Sequence, residues 1–343
     1  MFKGIHNLSQ LARLLSIAAV VLAVGAFAPG IASAARQAAP AELTLSFTGL
    51  EDLGPNWAYE GWLIVDGAPV STGIFAVDSS GKPSGTRFTV DVSDLSKVSA
   101  FVLTIEPAPD SDPGPSAVHV LGGDFVNGAA RLSAGHVAAL GDAFTGAASQ
   151  YILAAPSGGA SGSYQTGIWW LDPAAGPGPT LDLPALPAGW VYEGWVVGPD
   201  GPISTGRFTS ASGADSDGAG PTGGPKATPP FPGQDFVNPA LDLTSGYAAV
   251  ISIEPEPDNS TAPFAFKPLV DSVIDDVGEG VLQAMANNAG AFPTGSATFA
   301  GGQAPSVLPV AGGDNSVPVV PVLILAAGLL ALGIAFKLRL RTR

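Results

Sequence analysis

Two pairs of acids stand out because each occurs twice in the same surroundings. Glu60 lies in Trp57-Ala58-Tyr59-Glu60-Gly61-Trp62 and Glu193 in Trp190-Val191-Tyr192-Glu193-Gly194-Trp195; Glu106 and Glu254 each follow an isoleucine and precede a proline. Two carboxylates flanking one bond are the equipment of glycoside hydrolysis. Here, however, both acids recur inside apolar, strand-like motifs. A structural acid that accepts backbone N–H bonds or an Arg partner accounts for them without a reaction. No catalytic residue is therefore assigned. His119 and His136 are not at a His-x-x-x-His spacing, and cysteine is absent, which removes thiol chemistry, disulfides and Cys-ligated metal. Asp110-Ser111-Asp112 and Asp215-Ser216-Asp217-Gly218 begin like calcium loops, but neither completes the loop with a terminal Glu. There is no Gly-x-Ser-x-Gly elbow and no phosphate-cradling loop with a lysine. No metal ligand and no cofactor is expected. The aromatic residues of the repeated blocks could stack on a sugar, yet each stands at strand spacing beside apolar neighbours, as core aromatics do.

The elements that must position these residues come in two sets. The Trp-x-Tyr-Glu-Gly-Trp block recurs 133 residues on, as do Ser71-Thr72-Gly73 (Ser204-Thr205-Gly206) and Phe75 (Phe208). Ile105-Glu106-Pro107 and Ile253-Glu254-Pro255 are 148 apart, as are Ala143-Phe144 and Ala291-Phe292. The offset thus grows by 15, which places an insertion in the second copy. Its site is read at 211–235, a stretch rich in Gly, Pro, Ser, Thr and Asp that is expected to be a mobile loop. Within each copy the pattern is β. Leu43 to Phe47 alternates apolar and polar, Trp57 to Val65 is aromatic and branched up to the Asp66-Gly67 turn, and Ala100 to Ile105 stops at Glu106-Pro107. Brief helices are predicted at 133–140 and 280–287. The expected fold is all-β: two tandem β-sandwich, immunoglobulin-like modules with long Gly/Pro-rich loops, repeat 1 over 41–156 and repeat 2 over 164–300.

The ends carry topology signals. Lys3 and Arg13, the apolar run Leu14 to Ala28 and Ala32-Ser33-Ala34 read as a signal peptide over 1–34. Val317 to Phe336 is uncharged over 20 residues and is followed by Lys337, Arg339, Arg341 and Arg343, which predicts a transmembrane helix at 317–336 with a basic cytoplasmic tail at 337–343. All 29 acids but only eight of the 14 basic residues lie between 35 and 316, so the exported segment carries −21 within a chain of net −15. That balance disfavours nucleic acid as a partner. Charged residues make up only 13% of the 343 residues against 46% apolar ones, a composition that supports a packed core and argues against coiled coils.

Two resemblances bear on function. Leu308-Pro309-Val310-Ala311-Gly312, in the linker 301–316 ahead of the apolar span and basic tail, resembles a sortase sorting signal, with Ala311 where that family has Thr. The resemblance implies cleavage after Ala311 and attachment to the cell wall; a plain linker before a permanent anchor is the alternative. Tyr59 and Trp62, Pro69-Val70-Ser71-Thr72-Gly73-Ile74-Phe75 and Glu106-Pro107 resemble the extracytoplasmic C-terminal domain of anti-sigma-K factors, and the second copy repeats them with Tyr192, Trp195, Pro202 to Phe208 and Glu254-Pro255. The resemblance implies a small β-sandwich outside a membrane. The family's cytoplasmic segment that grips a sigma factor has no counterpart here. The expected role is that of an exported, C-terminally anchored, non-enzymatic surface protein of the cell envelope, with the membrane and a cell-wall polymer or envelope protein as partners. A regulatory sensor working through a separate membrane protein is the alternative.

Overall fold

A computed structural model of the chain describes residues 40–302 apart from 93, 159, 161, 175, 258 and 259. The signal peptide, the sorting-like motif and the transmembrane segment expected from the sequence lie outside the described residues. Among the described residues there is no α-helix, and no helix is long and apolar enough to cross a membrane.

Local sequence accounts for the first elements. Strand β1 (Ala41–Thr48) alternates as predicted, with Leu43 and Leu45 buried and Glu42, Thr44 and Ser46 outward or half-exposed. Strand β2 (Trp57–Val65) is buried on both faces over most of its length and turns through Asp66-Gly67 into β3 (Ala68–Phe75). Both turn residues have positive φ, 50° and 81°, the conformation that a two-residue hairpin turn requires. β4 (Arg87–Val90), β5 (Val98–Pro107), β6 (His119–Val126) and β7 (Ala129–Ser133) follow, β6 and β7 joined by a second such turn at Asn127-Gly128. The chain then makes β8 (Ser149–Leu153), β9 (Gly167–Trp169) and a two-stranded ribbon, β10 (Leu171–Asp172) with β11 (Gly178–Pro179). It continues through β12 (Trp190–Gly198), β13 (Gly201–Phe208), β14 (Gly233–Asp235), β15 (Ala248–Pro255), β16 (Phe266–Asp271), β17 (Gln283–Asn287) and β18 (Thr294–Phe299).

Two eight-stranded sheets result. One runs β3-β2-β5-β6-β7-β18-β1-β4 and the other β13-β12-β15-β16-β17-β8-β9-β14. Slot for slot the orders correspond, with one exchange. The slot beside β7 is filled by β18, from the end of the chain, and the matching slot beside β17 is filled by β8, from the middle. β18 lies antiparallel between β7 and β1, with Ala297 opposite both Ala130 and Leu45 and Phe299 opposite Leu43. β8 lies between β17 and β9, with Tyr151 opposite Gln283 and Ile152 opposite Trp169. Tyr151 and Phe299 are themselves 148 residues apart, so the exchanged strands are sequence counterparts. The two crossing connections meet: the rings of Phe144 and Phe292 are 5.7 Å apart, and the Asn287 amide donates to the carbonyls of Phe144 and Ala147 at 2.8 and 2.9 Å.

Three expectations need correction. The sheets are barrel-like, not sandwiches: the terminal strands of the first come together at Phe75 and Phe88, whose rings are 6.2 Å apart. One apolar core, from Leu43 through Phe144, Trp170 and Phe266 to Phe299, runs through both sheets, because each is completed by a strand tethered to the other half. Neither predicted helix forms. Residues 134–140 are turns and bends and 283–287 are β17, where Gln283 and Met285 point inward and the helix-favouring Ala284 and Ala286 point out. Pairing with β8 and β16 outweighs their local propensity.

A chain ending at Pro293 lacks the strand between β7 and β1, and it should lose the cooperative urea transition that a chain ending at Gly302 retains, followed by circular dichroism. Phe299→Ala, which removes a buried ring stacked 5.0 Å from Phe125, should cost about 3–4 kcal/mol in the same experiment.

Candidate functional site

Strand β2 is irregular where its acid and second tryptophan stand. Its register with β3 shifts between Gly61 and Trp62, and that of β12 with β13 shifts between Glu193 and Trp195. Glycine is required at the shift. A Cβ at Gly61 would press on the Thr72 hydroxyl and fall 2.8 Å from the Phe101 ring; one at Gly194 would press on the Thr205 hydroxyl and fall 3.0 Å from Trp170. The irregular segment brings each Glu-Gly-Trp against the neighbouring strand that carries the second acid.

The outcome is a buried polar relay in each half. Trp62 Nε1 donates to Thr104 Oγ1 at 2.9 Å, Thr104 donates onward to Glu106 Oε1, and the same oxygen accepts the Ser116 amide at 2.8 Å. In the second half Trp195 Nε1 donates to Ser252 Oγ at 2.7 Å, Ser252 donates to Glu254 Oε1, and that oxygen accepts the Phe264 amide at 2.9 Å. The indole N–H, the hydroxyl and the carboxylate are all buried. A hydroxyl both donates and accepts, so one Thr or Ser satisfies the tryptophan and the acid together. Burial pushes the Glu106 carboxyl above its usual range; the bonds from Thr104 and Ser116 pull it back and the charge of Glu60 raises it further.

Glu60 and Glu193 form a second tier. Each accepts the hydroxyl of the strand opposite, Ser71 and Ser204, and each serine accepts the amide two residues on, at Gly73 and Gly206, at 3.1 and 3.2 Å. Here the halves differ. Arg207 Nε donates to Glu193 at 2.9 Å, whereas the first half has Ile74 at that place, 61% exposed. The tyrosines match closely. Tyr59 donates to the Glu51 carbonyl and stacks on Phe75, Tyr192 donates to the Pro184 carbonyl and stacks on Phe208, and both ring pairs are 5.6 Å and 21° apart. Burial raises both phenols far above their ordinary range, so they remain donors. The leading tryptophans do not match: Trp57 is half-buried, while Trp190 is buried against Phe264 and Phe266.

The two histidines bond outside these relays. His119 Nδ1 meets the Ala138 carbonyl at 2.8 Å. His136 Nδ1 accepts the Ala138 amide at 3.2 Å, which puts the proton on Nε2, 3.4 Å from Asp124. Asp110 and Asp112 accept amides of their own turn. Among the described residues no three His, Cys, Asp or Glu side chains are grouped to hold a metal. Thr104 and Ser252, which join tryptophan to acid, were not singled out in the sequence. A signal for them existed: each stands two residues before the glutamate, on the same face of its strand.

Residues 8–119 match the family of the anti-sigma-K factor rskA, C-terminal. The match takes in β1 to β5 and the whole first relay, Trp62, Thr104, Glu106 and Ser116. No curated protein and no solved structure matches the chain.

Thr104→Val strands a buried indole N–H and leaves the buried Glu106 carboxyl with the Ser116 amide but without its hydroxyl donor, and should destabilise by about 2–4 kcal/mol by urea titration. Glu106→Gln keeps the acceptor and removes the charge. Because the folded carboxyl titrates above its unfolded value, the wild type should lose stability as pH rises through that raised range. Urea midpoints at pH 4.5 and 8 should therefore differ less for the variant.

Proposed function

We propose that this chain is an exported envelope protein with a non-enzymatic structural or binding role, built from two copies of a domain like the extracytoplasmic domain of anti-sigma-K factors and held at the surface by its C-terminal segment. The family match over residues 8–119 carries this reading. Three further observations support it. The second sheet repeats the strand order of the first. The repeated carboxylates Glu60, Glu106, Glu193 and Glu254 accept hydrogen bonds from the protein's own strands. The acidic middle is followed by an apolar run and a basic tail. On this reading Trp62, Trp195 and the acids are framework, and the partner is a wall polymer or another envelope protein. The family name also favours a second reading, a regulatory sensor whose sigma-binding part belongs to a separate membrane protein.

Protease treatment of intact cells should digest the segment 40–302 while an epitope placed after Arg343 stays protected; an epitope digested from outside would overturn the topology. If the sorting-like motif is used, Leu308→Ala with Pro309→Ala should move the protein from the wall fraction to the membrane fraction. Crosslinking that captures a membrane protein bearing a sigma-binding domain would favour the sensor reading over the structural one.

A further inference from the structure

The two sheets differ at a position whose surroundings they otherwise share. Glu60 stands directly opposite Ile74, and Glu193 directly opposite Arg207. Each acid accepts a serine hydroxyl at Oε1, from Ser71 or Ser204, and each is followed by the glycine that the register shift requires. In the second sheet Arg207 completes the arrangement. Its Nε donates to Glu193 Oε2 at 2.9 Å, and Ser216 bonds to its backbone amide and carbonyl at 3.0 and 2.8 Å. Ser216 belongs to the segment 211–235, for which the sequence predicts a mobile loop. That segment is tied to β13 here, and its last residues form β14.

The first sheet has the acid without the cation. Glu60 is only 7% exposed, and its Oε2 accepts no bond from the described residues. Cations of this half are engaged elsewhere: Arg87 lies 3.6 Å from Glu42, and Lys97 lies 2.8 Å from Asp66. Glu106 is close enough for the charge of Glu60 to act on it, so two buried acids stand near one another with no cation between them. A carboxylate taken out of water is costly unless a charge or a full set of donors meets it. Beside Glu60 the Ile74 side chain is 61% exposed, and among the described residues no loop bonds to its backbone. The hairpin that follows β3 closes two residues further on, where Ser84 bonds to the carbonyl and amide of Ala76 at 2.8 and 3.1 Å. An open carboxylate oxygen and an exposed aliphatic side chain thus meet at one spot, and the other sheet shows that spot filled.

We propose that Glu60 and Ile74 form a docking site for an arginine of another protein, whose guanidinium takes the place at Glu60 that Arg207 takes at Glu193. Arginine fits better than lysine. Its planar fork of donors matches a carboxylate, it sheds water more readily than an ammonium group, and its aliphatic stem can lie along Ile74. The segment that carries it is basic with aliphatic neighbours, and the strongly acidic body of this chain attracts such a segment while repelling polyanions. A second copy of the chain is the poorer occupant, because its Arg87, Lys97 and Arg207 already have acids of their own. That the partner is an envelope protein rests on the exported reading above. The site does not, since β2 and β3 alone build it.

Selection from a random peptide library against the purified full chain, run beside Ile74→Arg, tests the site. The variant supplies the cation from its own strand, as the second sheet does. The wild type should enrich peptides with an arginine next to an aliphatic residue. Measured by titration calorimetry, those peptides should bind Ile74→Arg about tenfold or more weakly, and changing their arginine to glutamine should cost the wild type as much. Glu60→Gln, which removes the charge with little change of shape, should weaken the same peptides and keeps the test decisive if Ile74→Arg does not fold. Peptides that bind wild type and folded variants equally overturn the proposal, as does a selection that enriches none or enriches peptides without a basic residue. A concentration-dependent dimer of the wild type that Ile74→Arg abolishes overturns it in favour of a second copy. The measurement uses purified protein, so a failure here is distinct from a failure of the exported reading, which the protease treatment of intact cells decides.

Discussion

The constraint on which the structure rests is that the two sheets are nested in the chain: the second, drawn from β8 to β17, is an uninterrupted stretch set between β7 and β18 of the first. β18 sits between β7 and β1, two strands that precede it by more than 160 residues, and β8 sits between β17 and β9 in the sheet of the other half. A strand in the middle of a sheet supplies two ladders, so its exchange joins the halves by main-chain hydrogen bonds on both sides. The single apolar core follows from this. Phe144 and Phe292, in the two crossing connections, touch because the connections must pass one another to deliver their strands. The loop entropy of closing such distant pairings is offset once for the whole assembly, not separately for each half.

Within that frame the relays solve a local problem. β2, β5, β12 and β15 are buried on both faces, which leaves their polar side chains without water. A buried indole N–H and a buried carboxylate each need a partner, and one strand hydroxyl supplies both. Thr104 and Ser252 are interchangeable in this role, because only the hydroxyl is used. The second tier has drifted: Arg207 neutralises Glu193, while Ile74 leaves Glu60 with its serine as the bonded partner on the opposite strand.

What could be read in the sequence was whatever had a local cause. Alternation placed Leu43 and Leu45 inward, Asp66-Gly67 marked its hairpin, and repetition singled out Glu60, Glu106, Glu193 and Glu254, all of which are buried and bonded. The strand exchange has no local cause. Residues 149–153 and 294–299 read equally well beside either sheet, and only the geometry of the connections decides between the slots. β17 was concealed because Gln-Ala-Met-Ala-Asn favours helix in isolation and is overruled by its neighbours. Asp215 and Asp235 were concealed by composition, since a stretch rich in glycine and proline suggests mobility, whereas two of its glycine amides donate to Asp215, and Asp235 is held by the Ser157 amide and the Trp169 indole.

The exchange also decides how the far end of the chain is coupled to the rest. In sequence, residues beyond 302 follow β18, whose ladders run to β1 and β7 and not to the strands that immediately precede it. A restraint applied at that end is therefore passed first to the sheet that holds Trp62, Thr104 and Glu106. In a protein held by its C-terminus, the half most distant in sequence from the tether becomes the half attached to it. β8 holds its place in the second sheet through a separate pair of ladders, to β17 and to β9. Topology thus divides the molecule into a sheet that leads directly on to the C-terminal segment and one that does not, although both are built to the same strand order.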